Sequence, residues 1–106
     1  MTEQDFLADC DRILRVIEDA LDSAEIDVDT ERSGNVLTLE FGDGSKIIVN
    51  GNTPLRELWI AAKSGGFHFK KSAAQWIDTR NADEFFASLS RLVSLQAQVS
   101  LILRDS

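Results

Sequence analysis

The sequence predicts an α+β fold: a two-layer α/β sandwich with an antiparallel sheet of five to six strands and N- and C-terminal helices packed on one face. Three observations predict it. Apolar residues recur at helical spacing at both ends of the chain. Between them lie short β-prone runs. These are separated by turn formers at Ser33-Gly34-Asn35, Gly42-Asp43-Gly44, Asn50-Gly51-Asn52-Thr53-Pro54 and Ser64-Gly65-Gly66. Connections this short demand antiparallel pairing, because parallel strands need long crossovers.

The first element is a helix over Glu3–Asp22. Thr2 can cap it, and Glu3 and Asp5 suit the positive end of its dipole. Phe6, Cys10, Ile13, Leu14, Ile17 and Leu21 form its apolar stripe. Asp11, Arg15, Glu18 and Asp22 form a second stripe at the boundary of the packed face, with Asp19 beside it. Glu25–Glu31 alternates acids with Ile26, Val28 and Thr30, which predicts an edge strand with an acidic outer face.

Val36–Phe41 is the next strand, with Leu37, Leu39 and Phe41 facing one way. Asp43-Gly44 turns it into a strand over Ser45–Asn50. Pro54 has no amide hydrogen and belongs in the connection that follows. Leu58–Ala62 and a short run Phe67–Phe69 come next, then a polar connection Lys70–Ala74 and a strand Gln75–Asp78. Asn81 is placed to cap a second helix, with Glu84 three residues on as in a capping box. Phe85, Leu89, Leu92, Val93 and Gln96 mark its inner face, with Phe86 beside them. The apolar tail Val99–Leu103 either extends this helix or turns back as a strand.

Length and composition set the frame for function. At 106 residues one domain is expected, burying about 65 % of its unfolded surface in a single core. No apolar run approaches the ~20 residues needed to cross a bilayer. The acidic start of the chain lacks the basic region of a signal peptide, so a cytoplasmic protein without membrane contact is expected. The net charge of −7 argues against nucleic acid as a partner. Cys10 is the only cysteine, which excludes an internal disulfide and a cysteine metal cluster. Its place on the apolar stripe predicts a buried, inert thiol.

The acidity is local. Residues 1–31 hold eleven of the eighteen acids and two bases, and the remaining residues carry a slight positive excess. The main constellation is Glu18, Asp19 and Asp22 on the helix with Glu25, Asp27 and Asp29 on or near the first strand. A solvated face that keeps the protein soluble accounts for such acids. So does a cation surface, since carboxylate oxygens are hard ligands for Fe²⁺, Fe³⁺, Mn²⁺, Ca²⁺ or Mg²⁺. Without histidine or a closed cage, such a surface binds weakly and exchanges its ions.

No enzyme motif is present: there is no phosphate loop, no histidine metal triad, and no cysteine beside a histidine. Strand alternation puts Leu58 and Ile60 toward the core and Trp59 on the open face, with His68 beside it. Trp59 either shields the sheet or anchors a partner, as tryptophan does at interface hot spots.

One stretch resembles a known family. Gly44-Ser45-Lys46-Ile47-Ile48-Val49-Asn50, Thr53-Pro54, Leu58-Trp59-Ile60-Ala61, Lys63 and Gly65-Gly66-Phe67-His68-Phe69 follow the order and spacing of the bacterial frataxin signature. The resemblance runs on through Trp76-Ile77 to a helix starting near Ala82 and covers roughly residues 3 to 95.

It implies the same sandwich, and a role in iron handling and iron–sulfur cluster assembly. It also implies iron (Fe²⁺/Fe³⁺) held weakly by acids of the first helix and strand. Glu18, Asp19 and Asp22 match the family's helix positions, and Asp27 and Asp29 its strand acids. Ser23 and Ala24 stand where bacterial relatives often carry acidic or aromatic residues. The same ridge is expected to dock on the basic surface of a cysteine desulfurase, with the open sheet facing an iron–sulfur scaffold protein. Asn50, Asn52 and Trp59 match partner positions on that sheet, and His68 adjoins them. A monomer is expected without metal, with metal-driven oligomers. Two other readings remain: a ferroxidase or iron-storage protein, and a protein-binding acidic module whose metal affinity is incidental.

Overall fold

The computed structural model describes residues 1–105. Helix α1 spans Glu3–Ala24 and helix α2 Phe85–Ala97. Between them run six strands: β1 Val28–Ser33, β2 Val36–Phe41, β3 Lys46–Asn52, β4 Glu57–Ala62, β5 Gly65–Ser72 and β6 Gln75–Asp78. They form one antiparallel sheet in chain order, a meander from edge β1 to edge β6. The expected sandwich is therefore present, with six strands.

Register sorts the side chains. Leu37 pairs with Val49 and Leu39 with Ile47, while Val49 pairs with Ile60 and Leu58 with Phe69. These residues share one face and join the buried stripe of α1 and the inner face of α2 in a single cluster. Phe69 meets Phe85 edge to face at 5.2 Å, and Phe6 meets Trp76 at 5.9 Å, so both helices lie on that face. Burying a side chain such as Phe69 contributes about 2–3 kcal/mol. Helix α1 approaches β3 closely at Gly51: a Cβ there would lie 2.7 Å from the Cys10 sulfur. Cys10 is buried as expected, and burial, helped by the Asp9 charge, pushes its thiol up to about 11.

Several boundaries differ from the sequence reading, the larger shifts each for a local reason. Glu25 adopts the left-handed conformation (φ 55°) and caps α1, and Val28 N–H donates to the Ile26 carbonyl at 2.9 Å. The chain is turning there, so Glu25–Asp27, which the sequence predicts as strand, lie outside β1, which starts at Val28. Asn52 pairs with Glu57, which lengthens β3 and β4 around the Pro54 turn. Lys70–Ser72 are strand, not connection: Lys70 pairs with both Glu57 and Ile77, and Ser72 with Gln75. Asn81 does not cap α2. Its side chain accepts from Asp83 N–H, Ala82 has φ 66°, and helix begins only at Phe85. Glu84 is the cap, accepting from the amides of Phe86 and Ala87.

The tail is neither helix nor strand. Ser94 Oγ bonds both the amide and the carbonyl of Leu101, and Ser90 Oγ accepts from Leu103 N–H at 2.7 Å. These hydroxyls satisfy backbone groups that no ladder serves, and Leu103 enters the core. Farther along, Asp105 accepts from Arg12 on α1, so the tail runs between the helices.

Arg12 also donates to Asp9, where a polar knot forms. Asp9 accepts from Lys71 Nζ at 2.8 Å, from the Trp76 indole at 2.9 Å and from Arg12 at 3.0 Å. Burial opposes ionisation of Asp9, but these hydrogen bonds and the Lys71 charge outweigh it and hold the carboxyl below its ordinary range. A folded-state pKa below the unfolded one stabilises the fold at neutral pH. That contribution is lost as pH falls below about 4 and through the folded value. Asp9→Asn is therefore expected to cost about 1–3 kcal/mol at pH 7 in urea unfolding. The gap to wild type should narrow steadily on acidification toward pH 3. A gap independent of pH would contradict this role for Asp9.

Candidate functional site

Helix α1 carries acids at both ends. Glu3 and Asp5 stand in its first turn, where the dipole is positive. Asp19, Asp22 and the cap Glu25 stand at the negative end, and the last turn holds no base. Their charges add to a field that the backbone carbonyls already make negative. Asp19, Asp22, Glu25, Asp27 and Asp29 are exposed, and Glu18 is half-buried.

The sheet edge continues this surface. In β1, Val28, Thr30 and Arg32 lie opposite Phe41, Leu39 and Leu37 on the helix face, so Asp29 and Glu31 project from the other face. Asp29 sits directly across from Glu40, a like-charge pair that disfavours the strand pairing. Asp27 lies in the connection, its carboxylate against Gly42, where a Cβ would come within 2.1 Å of Oδ2. Glycine at 42 leaves room for that carboxylate.

Arg32 is a feature the sequence reading missed. Continuing the β1 alternation by two residues would have found it. Its guanidinium reaches across to α1 and lies 2.7 Å from Asp11 and 3.8 Å from Glu18. Nε donates to the Gly34 carbonyl at 3.0 Å, which fixes the side chain over the hairpin. Arg15 adds a contact of 2.6 Å to Asp11. The helical stripe is thus divided. Asp11 is neutralised and Glu18 partly so, while Asp19, Asp22, Glu25, Asp27 and Asp29 have no basic partner among the described residues. Nor do any three His, Cys, Asp or Glu side chains among them gather into a metal cage. The acids form an open field of single carboxylates.

The second surface is the uncovered sheet face. Trp59 lies there, half-buried, and stacks on His68 at 4.5 Å with the rings 10° apart. The two are cross-strand partners, and Asn50 pairs with Trp59 on the other side. Glu57, which the sequence reading did not single out, accepts the Trp59 indole N–H at 2.8 Å. Asn52 ends β3 opposite Glu57, but its side chain serves the turn, accepting from Leu55 N–H. A concavity of about 510 Å³ between the tail, β6 and α2 contains none of these residues.

A model of the frataxin-like domain matches residues 1–99. The chain belongs to the frataxin-like family. Two relatives called iron-sulfur cluster assembly protein CyaY are close to it. That of Janthinobacterium is 52% identical and covers 100% of this chain and 99% of its own. That of Ralstonia nicotianae is 50% identical and covers 97% and 95%. Among solved structures, the frataxin of Psychromonas ingrahamii superposes with a TM-score of 0.92 at 32% identity, over 98% of this chain and 99% of that one. A trimeric frataxin from Saccharomyces cerevisiae, complexed with ferrous iron, gives 0.72 at 25% identity over 84% and 85%.

In this frataxin-like chain Arg32 is what holds the β1–β2 hairpin to α1 through charge. Replacing it by glutamine leaves Glu18 without a basic partner and Asp11 with Arg15 alone. A loss of about 1 kcal/mol in urea unfolding is expected at low ionic strength, shrinking at high ionic strength. A loss that does not respond to salt would mean that Arg32 contributes by packing alone.

Proposed function

We propose that this chain acts in iron–sulfur cluster assembly as an iron-dependent regulator or iron donor. The acidic surface takes up Fe²⁺ weakly and docks on the basic surface of a cysteine desulfurase, while the open sheet meets the iron–sulfur scaffold protein. One observation carries the reading. Exposed acids are concentrated at the negative end of α1, where no base offsets them. Such an arrangement disfavours folding, and a cation bound only by the native state relieves it.

The donor set decides what kind of iron binding fits. Oxygen-only, exposed, single carboxylates suit a hard cation that exchanges with water. They do not suit a resident cofactor. Iron is on this reading cargo or signal, completed in its shell by water or by the partner. The names of the Janthinobacterium and Ralstonia relatives support the pathway, and the ferrous complex of the yeast frataxin supports the metal. We take the protein to be a cytoplasmic, single-domain monomer without metal; the trimeric yeast relative makes metal-driven oligomers the natural extension. A ferroxidase needs closely spaced, enclosed carboxylates, so the open field of acids favours the assembly role over oxidation.

The deciding experiment is desulfurase binding by a charge-reversed ridge. Glu18→Lys, Asp19→Lys and Asp22→Lys together should weaken binding at least about tenfold in titration calorimetry, with an unchanged far-ultraviolet spectrum. Wild-type affinity in a folded triple variant would reject the docking role.

A further inference from the structure

Glu57 stands on the uncovered face of the sheet yet is only 8% exposed. A carboxylate so enclosed needs partners, and it has three. Oε1 accepts the Trp59 indole N–H at 2.8 Å and lies 3.6 Å from His68 Nδ1. Oε2 lies 3.8 Å from Lys70 Nζ. Strand geometry makes this inevitable: Glu57 and Trp59 are two apart on β4, and their cross-strand partners on β5 are Lys70 and His68.

We propose that Glu57 is a positioning residue for Trp59 and thereby sets the chemistry of what docks there. The indole has one donor, and Glu57 already occupies it. A partner therefore meets Trp59 through the ring, not through a hydrogen-bond acceptor. Lys70, which pairs with Glu57 beside the ring, disfavours a cation. Ile48 and Val36, each 36% exposed, and Ala61 lie on the same face, with Ile48 and Ala61 directly paired. The occupant is an apolar side chain of the scaffold protein, buried against a ring that is held in place before it arrives. Fixing the ring in advance removes an ordering cost from binding. The inference rests on the scaffold-facing role proposed above for this sheet, but its first readout does not.

That readout is the Trp59 indole N–H in the free, ¹⁵N-labelled protein. Glu57→Ala should raise its hydrogen-exchange rate at least about tenfold and shift its resonance, while Glu57→Gln, which keeps an acceptor, stays within about threefold of wild type. Trp76, held by Asp9, serves as the internal control and should not move. An unchanged Trp59 indole in Glu57→Ala overturns the positioning role.

Scaffold affinity is measured next. Glu57→Ala and Trp59→Phe should each weaken binding about tenfold, and the double variant no further than either alone. Tighter or unchanged binding by Glu57→Ala would mean that the partner takes the indole N–H. Losses that multiply would mean that Glu57 acts on its own. Either result refutes the proposal. Absent binding by wild type would reject the scaffold role itself, with the indole exchange still deciding what Glu57 does.

Discussion

A single sheet has two faces, and two helices cover only one of them. Strand alternation then assigns every side chain of β1–β6 either to the core or to the open side. Leu37, Leu39, Ile47, Val49, Leu58, Ile60 and Phe69 are sealed by α1 and α2. Trp59, His68, Glu57 and Lys70 are their alternates, left on the uncovered side by the same periodicity. A one-residue slip in β4 would bury Trp59 and expose Leu58 and Ile60, so core packing and surface chemistry are fixed by one register.

Helix α1 carries a double load. Its inner stripe supplies six buried residues to the core, and its C-terminal end carries acids where the dipole disfavours them. Packing makes that cost bearable and holds the acids in place. Electrostatic tension is relieved only in part, by Arg32 over Asp11 and Glu18. What remains unneutralised, Asp19 to Asp29, is the portion able to respond to a cation or a basic protein. At the opposite end of the helix, Asp9 gathers Lys71, Trp76 and Arg12, and through Arg12 the tail. The two ends thus differ in kind: one is a satisfied structural knot, the other an unsatisfied surface.

Much of this was legible in the sequence because it rests on periodicity. The buried stripe of α1, the inward faces of β2 and β4, the limits of β6 and the outward turn of Trp59 all follow from spacings of 3.6 or 2. The acids at 18, 19 and 22 were visible for the same reason. What was missed depends on backbone conformation or on contacts between distant residues. Left-handed Glu25 and Ala82 moved the start of β1 and of α2, and nothing in their residue types announced it. Polar Lys70–Ser72 read as a connection because composition does not report a ladder on both sides. The Asp9 knot joins groups more than sixty residues apart, and the Glu57 bond to Trp59 was missed because the strand was read only from Leu58.

The central claim is that the unpaired acids at the end of α1 and the start of β1 form the iron-responsive surface. Anaerobic titration of the ¹⁵N-labelled protein with Fe²⁺, followed by amide resonances, tests it most directly. The account predicts selective broadening over residues 18 to 29 and their neighbours Glu40 and Gly42 first, later and weaker effects near Asp11, and none over β4 and β5 from Glu57 to Lys70. Broadening spread evenly over the surface, or centred on His68 and the open sheet, would contradict it.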